Sequence, residues 1–303
     1  MKTTHFERAI FLSWYCAKGD CKFCYMSTQK SLIKDPRKAR RSAASILAEA
    51  YLCKKLGWEI EFLSGGYESY TTKELLSLIK NIKKIYGERL WLNTGTLNEK
   101  DLSLFKPYIE GVCGAVECIN PKIHDKVCPS KPIREIESMF KVCNKLGLKK
   151  AMTLILGLGE TLNDFPLLKK FIQKNKINKI TFYRLKPQKN TVFEKAKPIT
   201  KEYYAEWVKL TRKNFPKVQI VVGSWLTHLD EIHLLLNSGA DAITKFPSIR
   251  LFNSKYAKRM EQEAKKAERK FIGTLTKLPR ISYTGLDKEI KEKLNNYISK
   301  MRA

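Results

Sequence analysis

Phe11-Leu-Ser-Trp-Tyr-Cys16-Ala-Lys-Gly-Asp-Cys21-Lys-Phe-Cys24-Tyr25 places three thiols within nine residues, directly after an apolar run. The spacing is C-x4-C-x2-C. One loop of that spacing can wrap three thiolates around a single metal centre. Gly19-Asp20 supplies a turn between the first two, since glycine tolerates positive φ. Cys21 and Cys24 form the tight C-x2-C pair of iron–sulfur and zinc sites. Three ligands rather than four is the informative count. Structural zinc is closed by four ligands, and the chain has no second C-x2-C and no His beside the first. A [4Fe–4S] cluster takes one cysteine per iron, so a cluster held by three leaves one iron open. A zinc knuckle, or buried thiols without metal, are the alternatives.

Outward from this stretch, short apolar runs alternate with helical patterns, which argues for a parallel sheet with crossover helices. Strands are predicted over 9–13, 59–64, 89–94, 111–119, 150–156, 179–185, 218–223 and 240–246. Helices are predicted over 40–56, 72–86, 133–146, 162–174, 201–214 and 229–237, with Gly57, Gly87 and Gly147 as stops. Eight strands alternating with helices predict a (β/α)8 TIM-type barrel, complete or nearly so. The barrel would span 1–250, and a helical extension over 251–303 would pack on it. The charged helix over 256–269 should be mostly solvated, and the one over 287–301 would cover an end of the barrel. In such barrels the chemistry sits in loops after the strands. The cysteine loop follows the first strand, as that rule requires.

The bulk properties bound the class. The chain has 303 residues, 43% of them hydrophobic, enough for a sizeable core. No apolar run of about 18 residues predicts a membrane span, and the N-terminus lacks the apolar core of a signal peptide. Eight cysteines without a secretion signal point to a reducing, cytoplasmic setting with metal or redox use. The net charge of +28, from 58 Lys and Arg against 30 Asp and Glu, attracts nucleic acid, an acidic protein or an anionic small molecule. Solvated Lys-rich faces explain it equally well.

Further features follow the predicted strands. Ser64-Gly65-Gly66-Tyr67-Glu68 pairs glycines that let a ligand approach the backbone. Glu117 stands in the apolar run Ala115-Val-Glu-Cys-Ile119, where a carboxylate needs a partner. Leu156-Gly157-Leu-Gly159-Glu160 brings backbone close to a ligand or opens a helix. Arg184 suits a bidentate carboxylate contact. Cys118 and Cys128 flank the loop after strand four, Cys113 opens that strand and should point to the barrel's other end, and Cys53 and Cys143 fit small core positions.

With Phe23 in the slot before the last cysteine, the triad resembles the motif of radical S-adenosylmethionine (SAM) enzymes, C-x3-C-x-aromatic-C, with one extra residue in the first gap. The resemblance implies that Cys16, Cys21 and Cys24 hold a SAM-binding [4Fe–4S] cluster. It implies cofactor contacts at Phe23, Gly65, Gly66, Glu68, Glu117, Gly157, Gly159 and Arg184. Tyr67 occupies the place where relatives have the acid that holds SAM's amino group. Residues 123–132 and 152–161 resemble the biotin synthase-like branch, and within it the archaeal-type two-component lipoyl synthase subunit.

That resemblance implies sulfur insertion into an octanoyl chain on an acidic carrier protein. It also implies an auxiliary iron–sulfur cluster on Cys118 and Cys128, a second radical SAM subunit and an electron donor such as ferredoxin. Arg280-Ile-Ser-Tyr283 is similar to the tail of classical lipoyl synthases. The alternatives are the radical SAM protein of [Fe]-hydrogenase guanylylpyridinol cofactor biosynthesis and a tRNA-modifying radical enzyme. No appended RNA-binding module is seen, so nucleic acid is not the expected partner.

Overall fold

Eight parallel strands pair in sequence order and close on themselves. They are β1 (Lys2–Phe11), β2 (Glu59–Ser64), β3 (Leu90–Asn93), β4 (Ile109–Glu117), β5 (Lys149–Leu156), β6 (Lys179–Arg184), β7 (Gln219–Gly223) and β8 (Ala242–Thr244). β1 pairs with both β2 and β8, which closes the barrel. The computed structural model describes residues 1–302. Helices surround the strands, and the main core lies between the two layers, filled by side chains such as Trp58, Phe105, Phe140 and Trp207. This is a TIM-type (β/α)8 fold.

Local chemistry fixes the crossover helices. Helix Thr72–Tyr86 starts at a capping box between Thr71 and Glu74 and stops at Gly87, whose φ of 99° excludes most other residues. Helix Ala43–Leu56 begins after the Ser42 cap, three residues later than predicted, and ends at left-handed Gly57. Helix Ile133–Leu146 ends at left-handed Gly147. The helix predicted over 162–174 opens with a 3-10 turn, Leu162–Asp164, before helix Phe165–Asn175. The one over 229–237 likewise divides, into Leu226–Glu231 and Ile232–Asn237.

The C-terminal segment departs from an all-helical extension. Helix Lys255–Lys266 is not a solvated rod: it buries Ala257, Met260, Glu263 and Ala264. A ninth strand, β9 (Arg269–Ile272), then pairs in parallel with the first residues of β1, from Lys2 to His5. That pairing explains why β1 starts seven residues earlier than its apolar pattern suggested. Helix Lys288–Arg302 packs on the flank, against helix Ala43–Leu56, rather than over a barrel end. Tyr297 holds Arg41 there at 2.8 Å. Ala303 lies outside the described residues.

Candidate active site at the barrel mouth

The cysteine loop lies over the C-terminal strand ends and is tied down on two sides. The Ala17 N–H donates to the Tyr67 carbonyl at 3.0 Å, and the Lys22 N–H donates to the Val127 carbonyl at 2.8 Å. Ser130 donates to Asp20. Phe23 plugs the loop into an apolar cluster with Val127, Leu158 and Leu185. The loop after β2 supports it most closely. A Cβ at Gly66 would lie 2.2 Å from the Tyr15 carbonyl oxygen and 2.4 Å from Cys16 Cβ. The cysteine loop itself therefore needs a glycine at this position. Gly65 is less crowded, with Ser69 Oγ nearest at 3.2 Å. Beside it the buried Thr94 hydroxyl has no partner among the described residues.

The triad opens on a cavity of about 530 Å³, within the range of small-molecule sites. Cys16, Cys21, Cys24, Phe23, Gly65, Gly66, Glu117 and Arg184 line it, with an apolar floor that includes Phe62, Ala115 and Ile155. Five expected residues are absent from its wall. Glu68 is exposed, with a left-handed φ of 56°, and Tyr67 stands in the wall instead. Gly157 and Gly159 belong to a self-closed turn, because the N–H groups of Gly157 and Leu158 donate to the Glu160 carboxylate at 2.7 and 2.9 Å. The Gly157 N–H is thereby committed to the turn. Cys118 and Cys128 are buried behind the triad. Cys113, by contrast, lines the cavity and does not face the other end.

Glu117 ends β4 with a φ of 63°, a conformation that costs a non-glycine residue about 1 kcal/mol or more. Its carboxylate lies 3.3 Å from Lys131 Nζ and accepts from Thr153 at 3.1 Å. Burial alone would discharge Lys131, but Glu117 and the thiols of Cys128 and Cys21 hold its ammonium above the ordinary range. Arg184 is buried and forked onto Glu231, and it also donates to the Ile199 carbonyl. Its bidentate carboxylate partner is thus internal, so its guanidinium serves the wall.

The Cys128 thiol hydrogen-bonds Cys21, which holds Cys21 below the usual thiol range and Cys128 above it. Burial pushes Cys24 up to about 11 and Cys118 up to about 12. The two thiols expected to carry an auxiliary cluster stand in one apolar cluster with Cys21 and Cys24. Among the described residues, the sulfurs of Cys16, Cys21 and Cys24 do not all lie within 4.8 Å of one another. Sulfur ligands of one tetrahedral zinc would, at about 3.8 Å for a Zn–S bond of about 2.3 Å. The cavity beside the triad leaves room for a small molecule.

A closed parallel barrel with a thiol triad opening on a small-molecule cavity at its C-terminal face defines the class. Residues 14–172, just over half of the chain, match the Radical SAM superfamily, and the chain belongs to it. It is 45% identical over 275 residues to the uncharacterized protein MJ0597 of Methanocaldococcus jannaschii, covering 90% of this chain and 76% of that one. Among solved structures it is similar in fold to methylornithine synthase (PylB), with a TM-score of 0.69, 17% identity, and coverage of 80% of this chain and 72% of that one. It is likewise similar to the FeFe-hydrogenase maturase HydG from Carboxydothermus hydrogenoformans, with a TM-score of 0.68, 18% identity, and coverage of 99% and 66%. Membership implies SAM and a [4Fe–4S] cluster as cofactors. No described helix is long and apolar enough to cross a membrane.

Proposed function

We propose that this chain is a radical SAM enzyme that holds a [4Fe–4S] cluster on Cys16, Cys21 and Cys24 and removes a hydrogen atom from a substrate in the barrel cavity. The cluster, when bound, supplies the electron that splits SAM to methionine and a 5′-deoxyadenosyl radical; no side chain's acid–base range reaches an unactivated C–H bond. The observation that carries this reading is the continuity of the triad with one cavity. Gly66 fixes the cysteine loop, Phe23 seals its inner face, and the charged Lys131 beside Cys21 and Cys128 favours thiolate there.

The finer reading is sulfur insertion into an octanoyl chain, as a lipoyl synthase subunit working with an acidic octanoylated carrier, a second radical SAM subunit and a ferredoxin-type donor. The apolar floor suits an alkyl chain. The guanylylpyridinol cofactor reading is favoured by a different observation. A sulfur-donating auxiliary cluster needs ligands of its own, whereas Cys118 and Cys128 share one apolar cluster with Cys21 and Cys24.

The test is anaerobic reconstitution followed by reduction with SAM alone. Slow 5′-deoxyadenosine release is expected, and none from fully clustered protein would sink the enzyme reading. About four irons per chain, with no sulfur mass gain on an octanoyl carrier in the presence of partner subunit, would remove the lipoyl branch. About eight irons with thiolation would establish it.

A further inference from the structure

The cavity's cations are unequally satisfied. Lys18 meets Glu135 at 2.8 Å, Lys131 meets Glu117 at 3.3 Å, and Arg184 meets Glu231. Two others in the wall, Lys186 and Lys245, have no carboxylate within 4.0 Å among the described residues. Both lie on aromatic faces instead. Lys186 Nζ is 4.6 Å from the Trp225 ring centroid, and Lys245 Nζ is 4.4 Å from that of Tyr183 and 5.8 Å from that of Phe11.

The placement of Lys245 is built, not incidental. It follows β8 with a φ of 67°, an unfavourable conformation for a side chain with a Cβ. At the end of β7, a Cβ on Gly223 would lie 2.6 Å from Tyr183 and 2.7 Å from Lys245 Cγ. The lysine therefore needs both a strained backbone and a glycine beside it to lie on that ring. The nearest internal acid is already occupied: Glu61 accepts from Tyr183 and from Thr244, the latter at 2.5 Å. Burial raises the Glu61 carboxyl and Lys245 pulls it down, with burial prevailing, and no carboxylate lies within 4.0 Å of Lys245 among the described residues. Strain retained around an unpaired charge marks a binding position.

We propose that Lys245, assisted by Lys186, holds the anionic head of the substrate, a carboxylate or phosphate monoester carried on an aromatic or apolar body. The rings of Phe11, Tyr183 and Trp225 flank that body, on the side of the barrel formed by β6, β7, β8 and β1. This rests on the radical SAM reading of the cavity, but not on an octanoyl substrate, whose amide has no anionic head.

The experiment is calorimetry on the full chain, anaerobically reconstituted and saturated with SAM. The probes are 2-naphthoate, 2-naphthyl phosphate and the neutral 2-naphthamide. At least one anion is expected to bind ten times more tightly than the amide, and the stronger anion names the head group. Lys245→Met is expected to cut that preference to threefold or less, and Lys186→Met to cut it less. Equal binding of all three probes, or binding of none, overturns the proposal. So does a Lys245→Met protein that keeps the preference but loses SAM affinity, which would give the lysine to SAM's own carboxylate. The wild-type comparison decides even where a variant does not fold. Failure of the radical reading shows separately, as absent 5′-deoxyadenosine with anion preference intact.

Discussion

The two ends of the barrel treat charge differently: the base closes its charges on one another, whereas the mouth pairs three of its cations and, among the described residues, leaves two without an acid within 4.0 Å. At the base, where strands begin, Glu7 is fully buried yet satisfied by Lys179, by Gln219 at 2.8 Å and by His5 at 3.4 Å. Burial favours the neutral acid there, but Lys179 and His5 win and hold Glu7 below the ordinary carboxylate range. At the mouth, Lys186 and Lys245 keep no acid, three thiols open on a cavity, and two residues at strand ends, Glu117 and Lys245, sit in left-handed backbone. Charge closed on itself holds the barrel together. Charge left open, with strain around it, is available to a ligand.

The contrast is broken most severely at the triad. Replacing Cys16, Cys21 or Cys24 by Ala is expected to abolish both bound iron and 5′-deoxyadenosine formation, as read by iron analysis and product chromatography. Cys143→Ala, in the core of helix Ile133–Leu146, should retain both.

The next effect is one of stability. Lys179→Met leaves the buried Glu7 only Gln219 and His5 as partners and should cost up to about 3–5 kcal/mol. Lys245→Met removes no ion pair and should stay within about 0.5 kcal/mol. Urea midpoints under anaerobic conditions compare the two directly, and equal losses would erase the distinction between the ends.

The smallest effect is on pH dependence. Burial pulls the His5 imidazole down, but Glu59 and Glu7 outweigh it and raise it to about 9 from 6.5. A raised folded-state pKa gives stability that is fully present below about pH 6.5 and is lost as pH rises through 9. The loss is at most roughly 3 kcal/mol at 1.36 kcal/mol per unit. His5→Gln should flatten the urea midpoint over that window.

The barrel was legible because β5 carries a dense apolar run, β2 and β6 alternate β-rich apolar positions with polar ones, and the crossover helices have clear caps at Thr71, Gly57 and Gly147. β9 was not, since Arg-Lys-Phe-Ile has neither a clean alternation nor a turn to announce it, and it exists only by pairing with β1. The triad was legible from spacing alone. The roles around it were not, because they depend on contacts between distant positions. Gly66 meets Tyr15, Arg184 finds Glu231 across 47 residues, and Cys128 meets Cys21. Lys245 gave no signal at all. One lysine after a short strand looks like any other until its backbone angle and the space at Gly223 are known.

The seam at β1 has a consequence for biogenesis. The strand that leads into the thiol loop is synthesised well before β8, which closes the barrel on it, and before its outer neighbour β9 and the flanking helix Lys288–Arg302. Trp58 and Tyr51, from the first fifth of the chain, likewise donate to the carbonyls of Thr274 and Ser282 near its end. The cavity wall is therefore finished only once β8 and Lys245 have been made, long after the thiols that open on it.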